Sequence, residues 1–184
     1  MTFRLPVSFR LLSSLRTAVR SRAMSIKVGD PLPDAQVFDG SPENQISVKD
    51  VFGSEKGILF GVPGAFTPGC TKTHLPGYVS QADDLKSRGV KVIACISVND
   101  AFVMNEWGKC HGADGKVRML ADPTGNFVKV ISLYPSGHIL LVITTYFVFM
   151  FSLIVEGGKV KAINVEEDGT GLTCSLAANI LSQL

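Results

Sequence analysis

The chain has few of the residues that build metal centres and disulfide frameworks: four cysteines and three histidines in 184 residues. Cys70, Cys95, Cys110 and Cys174 stand far apart, with no CxxC pair, which excludes the spacing of a structural zinc site. Four scattered thiols in an intracellular chain do not make a disulfide scaffold. His74, His111 and His138 form no HExxH set. There is no P-loop and no GxGxxG, and Gly169-Thr170-Gly171 reads only as a turn. Repeats and low-complexity segments are absent as well.

Charge is missing in two places. No acidic residue precedes Asp30, whereas residues 1–23 hold Arg4, Arg10, Arg16, Arg20 and Arg22. An Arg-rich, Ser-containing, acid-free leader has the composition of a mitochondrial transit peptide. A secretory signal needs an uninterrupted apolar run, and arginines interrupt every candidate. Without the leader, 13 of the 18 basic residues face 16 acidic ones. The basic pI therefore belongs to the leader and says nothing about nucleic acid, and no nucleic-acid partner is expected. Met24 opens a second possible start, and the terminal Ser182-Gln183-Leu184 resembles a peroxisomal tripeptide.

The second gap runs from Val130 to Val155, which holds no Lys, Arg, Asp or Glu. Ile139–Val155 is close to the lower length limit of a membrane span. Its Val, Ile, Thr, Tyr and Phe content, and the core strand its end must supply, favour a sheet instead. No span is expected. Exposed, such a stretch would be an aggregation hazard.

What the chain does have is concentrated in Gly61-Val62-Pro63-Gly64-Ala65-Phe66-Thr67-Pro68-Gly69-Cys70. Gly57–Val62 reads as a short buried strand. Thr67 suits an N-cap, and Pro68 the first helical position, where its missing N–H costs nothing. This register puts Cys70 in the first turn, among N–H groups without helical partners. The positive end of a helix stabilises an anion, and the thiolate is the nucleophilic form of cysteine. A buried structural cysteine is the alternative, but the cap, the proline and the strand-to-helix context agree with one another.

The composition, 46% apolar and 18% charged, supports one sizeable core. Residues 1–23 are expected to form the leader and 24–184 one domain. The helix that opens at Pro68 runs toward Arg88, bends at Pro76-Gly77 and stops at Gly89. Val90–Val98 is a buried strand with Cys95 as plain core. Asn99-Asp100 caps a helix over Ala101–Lys109, and Cys110-His111 is surface. Val117–Leu120 is a strand that ends in the turn Asp122–Gly125. Phe147–Val155 and Lys159–Val165 pair around Gly157-Gly158. Glu166–Gly169 is a turn, and Thr173–Gln183 a final helix with Cys174 at its start. This element order is α/β, a central sheet covered by helices.

Gly61–Pro76 is similar to the active-site segment of the peroxiredoxins. Asp168–Leu176 (DGTGLTCSL) is similar to the second-cysteine segment of their atypical two-cysteine members, the peroxiredoxin-5 group. Val92–Asp100, Leu120–Gly125 and the C-terminal tripeptide also match, so the resemblance covers about 24–127 and 151–184. It implies a thioredoxin-like fold, with a central mixed sheet flanked by helices, and a thiol-dependent peroxidase. Cys70 would be the peroxidatic cysteine, attacking a hydroperoxide and becoming a sulfenic acid. Thr67 would hold thiolate and peroxide, and Pro63 would shape and shield the pocket. Cys174 would be the resolving cysteine, forming an intramolecular disulfide that thioredoxin reduces. The resemblance implies no metal and no bound cofactor. It also implies a monomer or weak homodimer, distributed among mitochondrion, peroxisome and cytoplasm.

Residues 128–150 depart from the family. The corresponding stretch normally supplies an arginine facing the catalytic thiolate. Here Lys129 is its only basic side chain, and the body retains just Arg88 and Arg118. Three readings stand open: an altered exon, a paralogue with weakened activity, and a membrane-associated form. The missing arginine also keeps a non-catalytic redox sensor in play beside the enzyme.

Overall fold

The computed structural model describes residues 26–131 and 150–184. The leader, and most of the departing segment, lie outside the described residues. Among these, seven strands form one sheet: β1 (Gln36–Asp39), β2 (Gln45–Ser47), β3 (Gly57–Gly61), β4 (Val92–Ser97), β5 (Arg118–Ala121), β6 (Phe151–Glu156) and β7 (Lys159–Val165). Their order is β2-β1-β5-β4-β3-β6-β7. The three central strands are parallel, and every outer pair is antiparallel. Parallel neighbours need long crossovers. The chain supplies them as α2 (Leu75–Ser80) and α3 (Ala82–Ser87) between β3 and β4, and α4 (Ala101–Cys110) between β4 and β5. The result is a thioredoxin-like fold.

Side-chain alternation sorts the strands onto two apolar layers. Ile58, Phe60, Ile93, Cys95, Met119 and Ile154 pack on one face, with Cys70, Tyr78, Met104, Trp107 and Ile180. Leu59, Ala94, Ile96, Leu120, Leu153 and Val155 pack on the other, with Phe52 and Phe127. All five residues of β3 are buried, as expected of a central strand covered on both sides. α1 (Val48–Phe52), whose cap Ser47 accepts from the Lys49 N–H at 3.2 Å, and α5 (Asn126–Ile131) cover the second face. The sequence reading anticipated neither helix. α5 starts on Asp122, whose carboxylate accepts from the N–H groups of Asn126 (2.7 Å), Phe127 (3.0 Å) and Val128 (3.2 Å).

Two expected helices come out differently. The helix after Pro68 is not a single rod. Cys70–His74 winds as a π turn, and the Leu75 N–H reaches back to the Cys70 carbonyl. Pro76, next in the chain, lacks the N–H an α-turn requires and its ring crowds the carbonyl four residues back, so a wider turn accommodates it. A second break falls at Gln81, between α2 and α3. The terminal helix α6 covers only Ala177–Gln183, after Leu176 at its cap. Cys174 therefore sits in a bend ahead of the helix, because Thr173 and Ser175 are bonded elsewhere. The expected strands Gly57–Val62, Val90–Val98, Val117–Leu120 and Lys159–Val165 appear within two residues at each end; of Phe147–Val155 the strand is seen from Phe151, and residues 147–149 lie outside the described residues. Gly89 ends α3 at φ 88°, and Asp100 caps α4 by accepting from the Val103 N–H at 2.9 Å.

Among the described residues no helix is long and apolar enough to cross a membrane, and Phe151–Val155 is a fully buried sheet strand. Gly61 pairs with Phe151 across the β3–β6 ladder. A Cβ at Gly61 would lie 2.0 Å from Cε1 of that ring. Gly61→Ala should therefore lower the unfolding free energy by about 1–3 kcal/mol through overpacking. Gly77→Ala, whose added methyl meets nothing within 4 Å, should raise it by up to about 1 kcal/mol. Urea titrations of the two variants check both signs.

Candidate active site

β3 is one of the three central strands and is buried throughout, so the chain leaves it at a fixed point. Val62 extends the pairing by one bond, from its N–H to the Ile96 carbonyl at 3.0 Å. The turn that follows is bonded from inside the protein. The Ala65 N–H donates to Asn99 Oδ1 at 2.8 Å, and Ser97 Oγ donates to the same oxygen at 2.8 Å. The Thr67 hydroxyl donates back to the Gly64 carbonyl at 2.9 Å. Phe66 turns the chain at φ 62°, and its ring is 55% exposed. A left-handed conformation is unusual for so bulky a residue; here the flanking bonds to Gly64 and Ala65 hold it.

The winding starts at Pro68, and its first helical bond runs from the Thr71 N–H to the Thr67 carbonyl at 2.9 Å. Thr67 occupies the N-cap position, but its hydroxyl proton goes backward, to Gly64. The N–H groups of Gly69 and Cys70 have no carbonyl to meet in the first turn. Cys70 is fully buried, Pro63 and Thr67 are half-buried, and all three belong to this one turn. Trp107 Nε1 donates to Thr71 Oγ1 at 3.2 Å, tying α4 to the residue after Cys70.

The segment carrying Cys174 lies on the same helix. The Ser175 carbonyl accepts from the Tyr78 hydroxyl at 2.7 Å and meets His74 Nε2 at 3.0 Å. A carbonyl only accepts, so Nε2 carries the proton. Nδ1 is then a buried acceptor without a partner, and burial lowers the pKa of this ring. A methyl built on Gly69 would lie 3.5 Å from Leu172 Cδ1 and 3.5 Å from Met150 Cε, so the residues before Cys174 and before β6 converge beside Cys70. All four cysteines are free thiols. Burial pushes the Cys95 thiol well above its ordinary value, with nearby Cys70 adding to the effect, which makes it core. Cys110 is exposed, as expected of surface. Cys174 is also raised, by burial first and by the negative charge of Glu166 next.

Glu166 is the residue that the sequence reading passed over as part of a turn. It is 2% exposed. Its carboxylate accepts from the Thr173 N–H (2.9 Å) and hydroxyl (2.6 Å), and from the Ser175 N–H (2.8 Å) and hydroxyl (2.7 Å). No signal in the sequence links Glu166 to residues seven and nine positions on. Asn99 was read as half of a helix cap; only the parallel pairing of β3 with β4 brings it to Ala65.

Neither body arginine reaches this turn. Arg118 pairs with Asp39 at 2.5 Å and reaches the Val51 carbonyl at 3.5 Å, and Arg88 closes the far end of α3. Among the described residues no group of three or more His, Cys, Asp or Glu is placed to hold a metal ion.

A single sheet with crossover helices, and a buried cysteine at the start of the helix after its central strand, define a thioredoxin-like thiol protein. The Redoxin family matches residues 27–181. Peroxiredoxin-2C of Oryza sativa subsp. japonica is 41% identical over 163 residues, covering 86% of this chain and 98% of that one. The structure of reduced Prx3 in complex with H2O2 from Vibrio vulnificus is 37% identical, with a TM-score of 0.77 over 86% of this chain and 98% of that one. Peroxiredoxin 5 from Alvinella pompejana, also 37% identical, superposes with a TM-score of 0.71 over the same shares. The chain belongs to the peroxiredoxin family, whose members are thiol-dependent peroxidases.

The Glu166 carboxylate predicts a pH dependence. Burial opposes its charge, but the four hydrogen bonds outweigh burial and hold its pKa at about 2, against 4.5 for the free side chain. The folded chain thus binds this proton more weakly than the unfolded one. The resulting stability, roughly 3 kcal/mol, is present above pH 4.5 and is lost as pH falls toward 2. Denaturant titrations from pH 6 to pH 3 should show stability falling in the wild type and a flatter profile in Glu166→Gln. Equal slopes would refute the assignment.

Proposed function

We propose that the chain reduces hydrogen peroxide and alkyl hydroperoxides through Cys70, in the manner of the atypical two-cysteine, peroxiredoxin-5 type. The observation that carries this is Cys70 buried in a first helical turn, beside Thr67, whose N–H groups at Gly69 and Cys70 meet no acceptor among the described residues. The Cys70 thiolate attacks one peroxide oxygen and the O–O bond breaks. Cys70 becomes a sulfenic acid, and the leaving oxygen takes a proton to become water or an alcohol. Developing negative charge on oxygen is met by the Gly69 and Cys70 N–H groups. Thr67 Oγ1, which spends its proton on Gly64, keeps lone pairs to receive a peroxide proton. Pro63 shields the turn. Cys174 then displaces hydroxide from the sulfenic sulfur, leaving an intramolecular disulfide that thioredoxin reduces. The docking of the Cys174 segment on the Cys70 helix supports the pairing. The domain reading 24–184, and action in mitochondrion, peroxisome and cytoplasm, are part of the same proposal.

A redox sensor with slow turnover is the second reading. What favours it is that, among the described residues, no arginine lies near Cys70: Arg118 is held by Asp39, and Arg88 is remote. Removing one preorganised donor of this kind costs on the order of 10²–10³ in rate. Peroxide consumption with thioredoxin, its reductase and NADPH tests both. Turnover should be present, slower than in arginine-bearing relatives by about that factor, and absent in Cys70→Ser. Thr67→Val should lose about 10–100-fold, and Cys174→Ser should consume one equivalent of peroxide without cycling. Turnover in Cys70→Ser overturns the proposal, and a single oxidation without cycling in the wild type gives the sensor.

A further inference from the structure

The loop carrying Cys174 is fastened at both ends of a short span. From one side, Glu166 at the end of β7 takes four hydrogen bonds from Thr173 and Ser175, the two neighbours of Cys174. From the other, His74 and Tyr78 hold the Ser175 carbonyl against the helix that begins at Cys70. Asn179 Nδ2 adds a bond to the Cys174 carbonyl at 2.5 Å. All four donors to Glu166 are neutral, so its negative charge is held by dipoles and remains beside the Cys174 thiol. Cys70 meanwhile is fully buried, and both sulfurs are free. A disulfide requires the two sulfurs to come within about 2.05 Å.

We propose that Glu166 is a positioning residue that holds Cys174 in reserve: its carboxylate clamps the Thr173–Ser175 loop and keeps a negative charge beside the thiol, so that clamp opening limits disulfide formation. This rests on the pairing of Cys70 with Cys174 proposed above. The step itself is balanced. The Cys174 sulfur bonds to the Cys70 sulfur, the S–O bond of the sulfenic acid breaks, and hydroxide leaves with the Cys174 proton as water. Cys174 is oxidised and the sulfenic Cys70 reduced. Both parts of the clamp slow this step. Bonds to a charged acceptor resist loop opening, and the thiol is a poorer nucleophile than the thiolate. A long-lived sulfenic acid is open to a second peroxide and irreversible oxidation to sulfinic acid. Glu166 thereby sets the ratio of recycling to inactivation. The titratable groups facing it are Cys174, Asp168, whose carboxylate borders Gly171 together with that of Glu166, and His74 across the loop; Tyr78 bonds the Ser175 carbonyl beside it.

Glu166→Gln isolates the charge. An amide oxygen retains the acceptor for Thr173 N and Ser175 N, while its nitrogen donates to the Thr173 hydroxyl. Thr173→Val removes one strand of the clamp and leaves the charge. The full chain is reduced, mixed with one equivalent of hydrogen peroxide and followed by Trp107 fluorescence, since this tryptophan bonds Thr71 beside Cys70. Disulfide is quantified in quenched samples by mass spectrometry. In Glu166→Gln the disulfide should form on the order of tenfold faster, what one charge-assisted hydrogen bond is worth. The pH midpoint of that phase should move to lower pH, a shift that a purely structural role would not produce. Thr173→Val should accelerate the phase without moving the midpoint. At excess peroxide the sulfinic fraction should fall in both. A disulfide forming at the wild-type rate with the wild-type midpoint in Glu166→Gln, or more slowly in both variants, overturns this inference alone. No disulfide in the wild type overturns the pairing along with it.

Discussion

The turn from β3 into Pro68 must satisfy its own backbone without using the N–H groups that an anion at Cys70 needs. Everything around the site answers to that constraint. The Gly64 carbonyl is met by the Thr67 hydroxyl, and the Ala65 N–H by Asn99. Both partners lie outside the first helical turn, so Gly69 and Cys70 keep their N–H groups free. Pro68 adds no donor of its own. The arrangement requires Asn99 to stand at the end of β4, which it does only because β4 runs parallel to β3 and in register with it. The strained Phe66 is the local consequence: the chain must reverse within three residues while both neighbours are tied.

The second-cysteine segment is built on the opposite principle. It has no regular structure of its own between Gly169 and Leu176. Its order comes from a buried carboxylate that gathers two N–H groups and two hydroxyls, and from a carbonyl shared by His74 and Tyr78. A buried charge solvated by neutral dipoles is stable only while all of them are in place. Such a segment is either docked or released, with little between. The proposed pairing of Cys174 with the buried Cys70 would need a segment of this kind, docked in one state and released in the other.

Cation placement separates this chain from what its resemblance implies. Arg118 is committed to Asp39 and to the end of α1, where it fastens β5 to β1 and α1. The helix start and Thr67 are thus left as the means of stabilising charge at Cys70. Both are dipolar, and a dipole gives less than a full charge at the same distance.

Much of the fold and half of the site could be read from the residues themselves. Continuous apolar runs such as Val92–Ser97 and Gly57–Gly61 mark buried strands whatever surrounds them, and Thr67-Pro68 marks a helix start through steric rules local to two residues. Cys70 and its neighbours were legible for that reason. Other features depended on atoms far away in the chain. Pro76 signalled a bend, but not its form, a π turn over Cys70–His74 that widens just ahead of the proline. Thr173–Ser175 reads as helix by pattern, yet Glu166 draws its N–H groups away, and the helix starts only at Ala177. Asn99, Glu166, His74 and Tyr78 carry no motif, because hydrogen bonds between residues up to 101 positions apart leave no periodic trace. The sequence by itself determined where Cys70 would sit on its helix. Tertiary structure alone decided what holds that turn, what holds the second cysteine near it, and that Arg118 is spent elsewhere, since each of these is a matter of which side chains the sheet brings face to face.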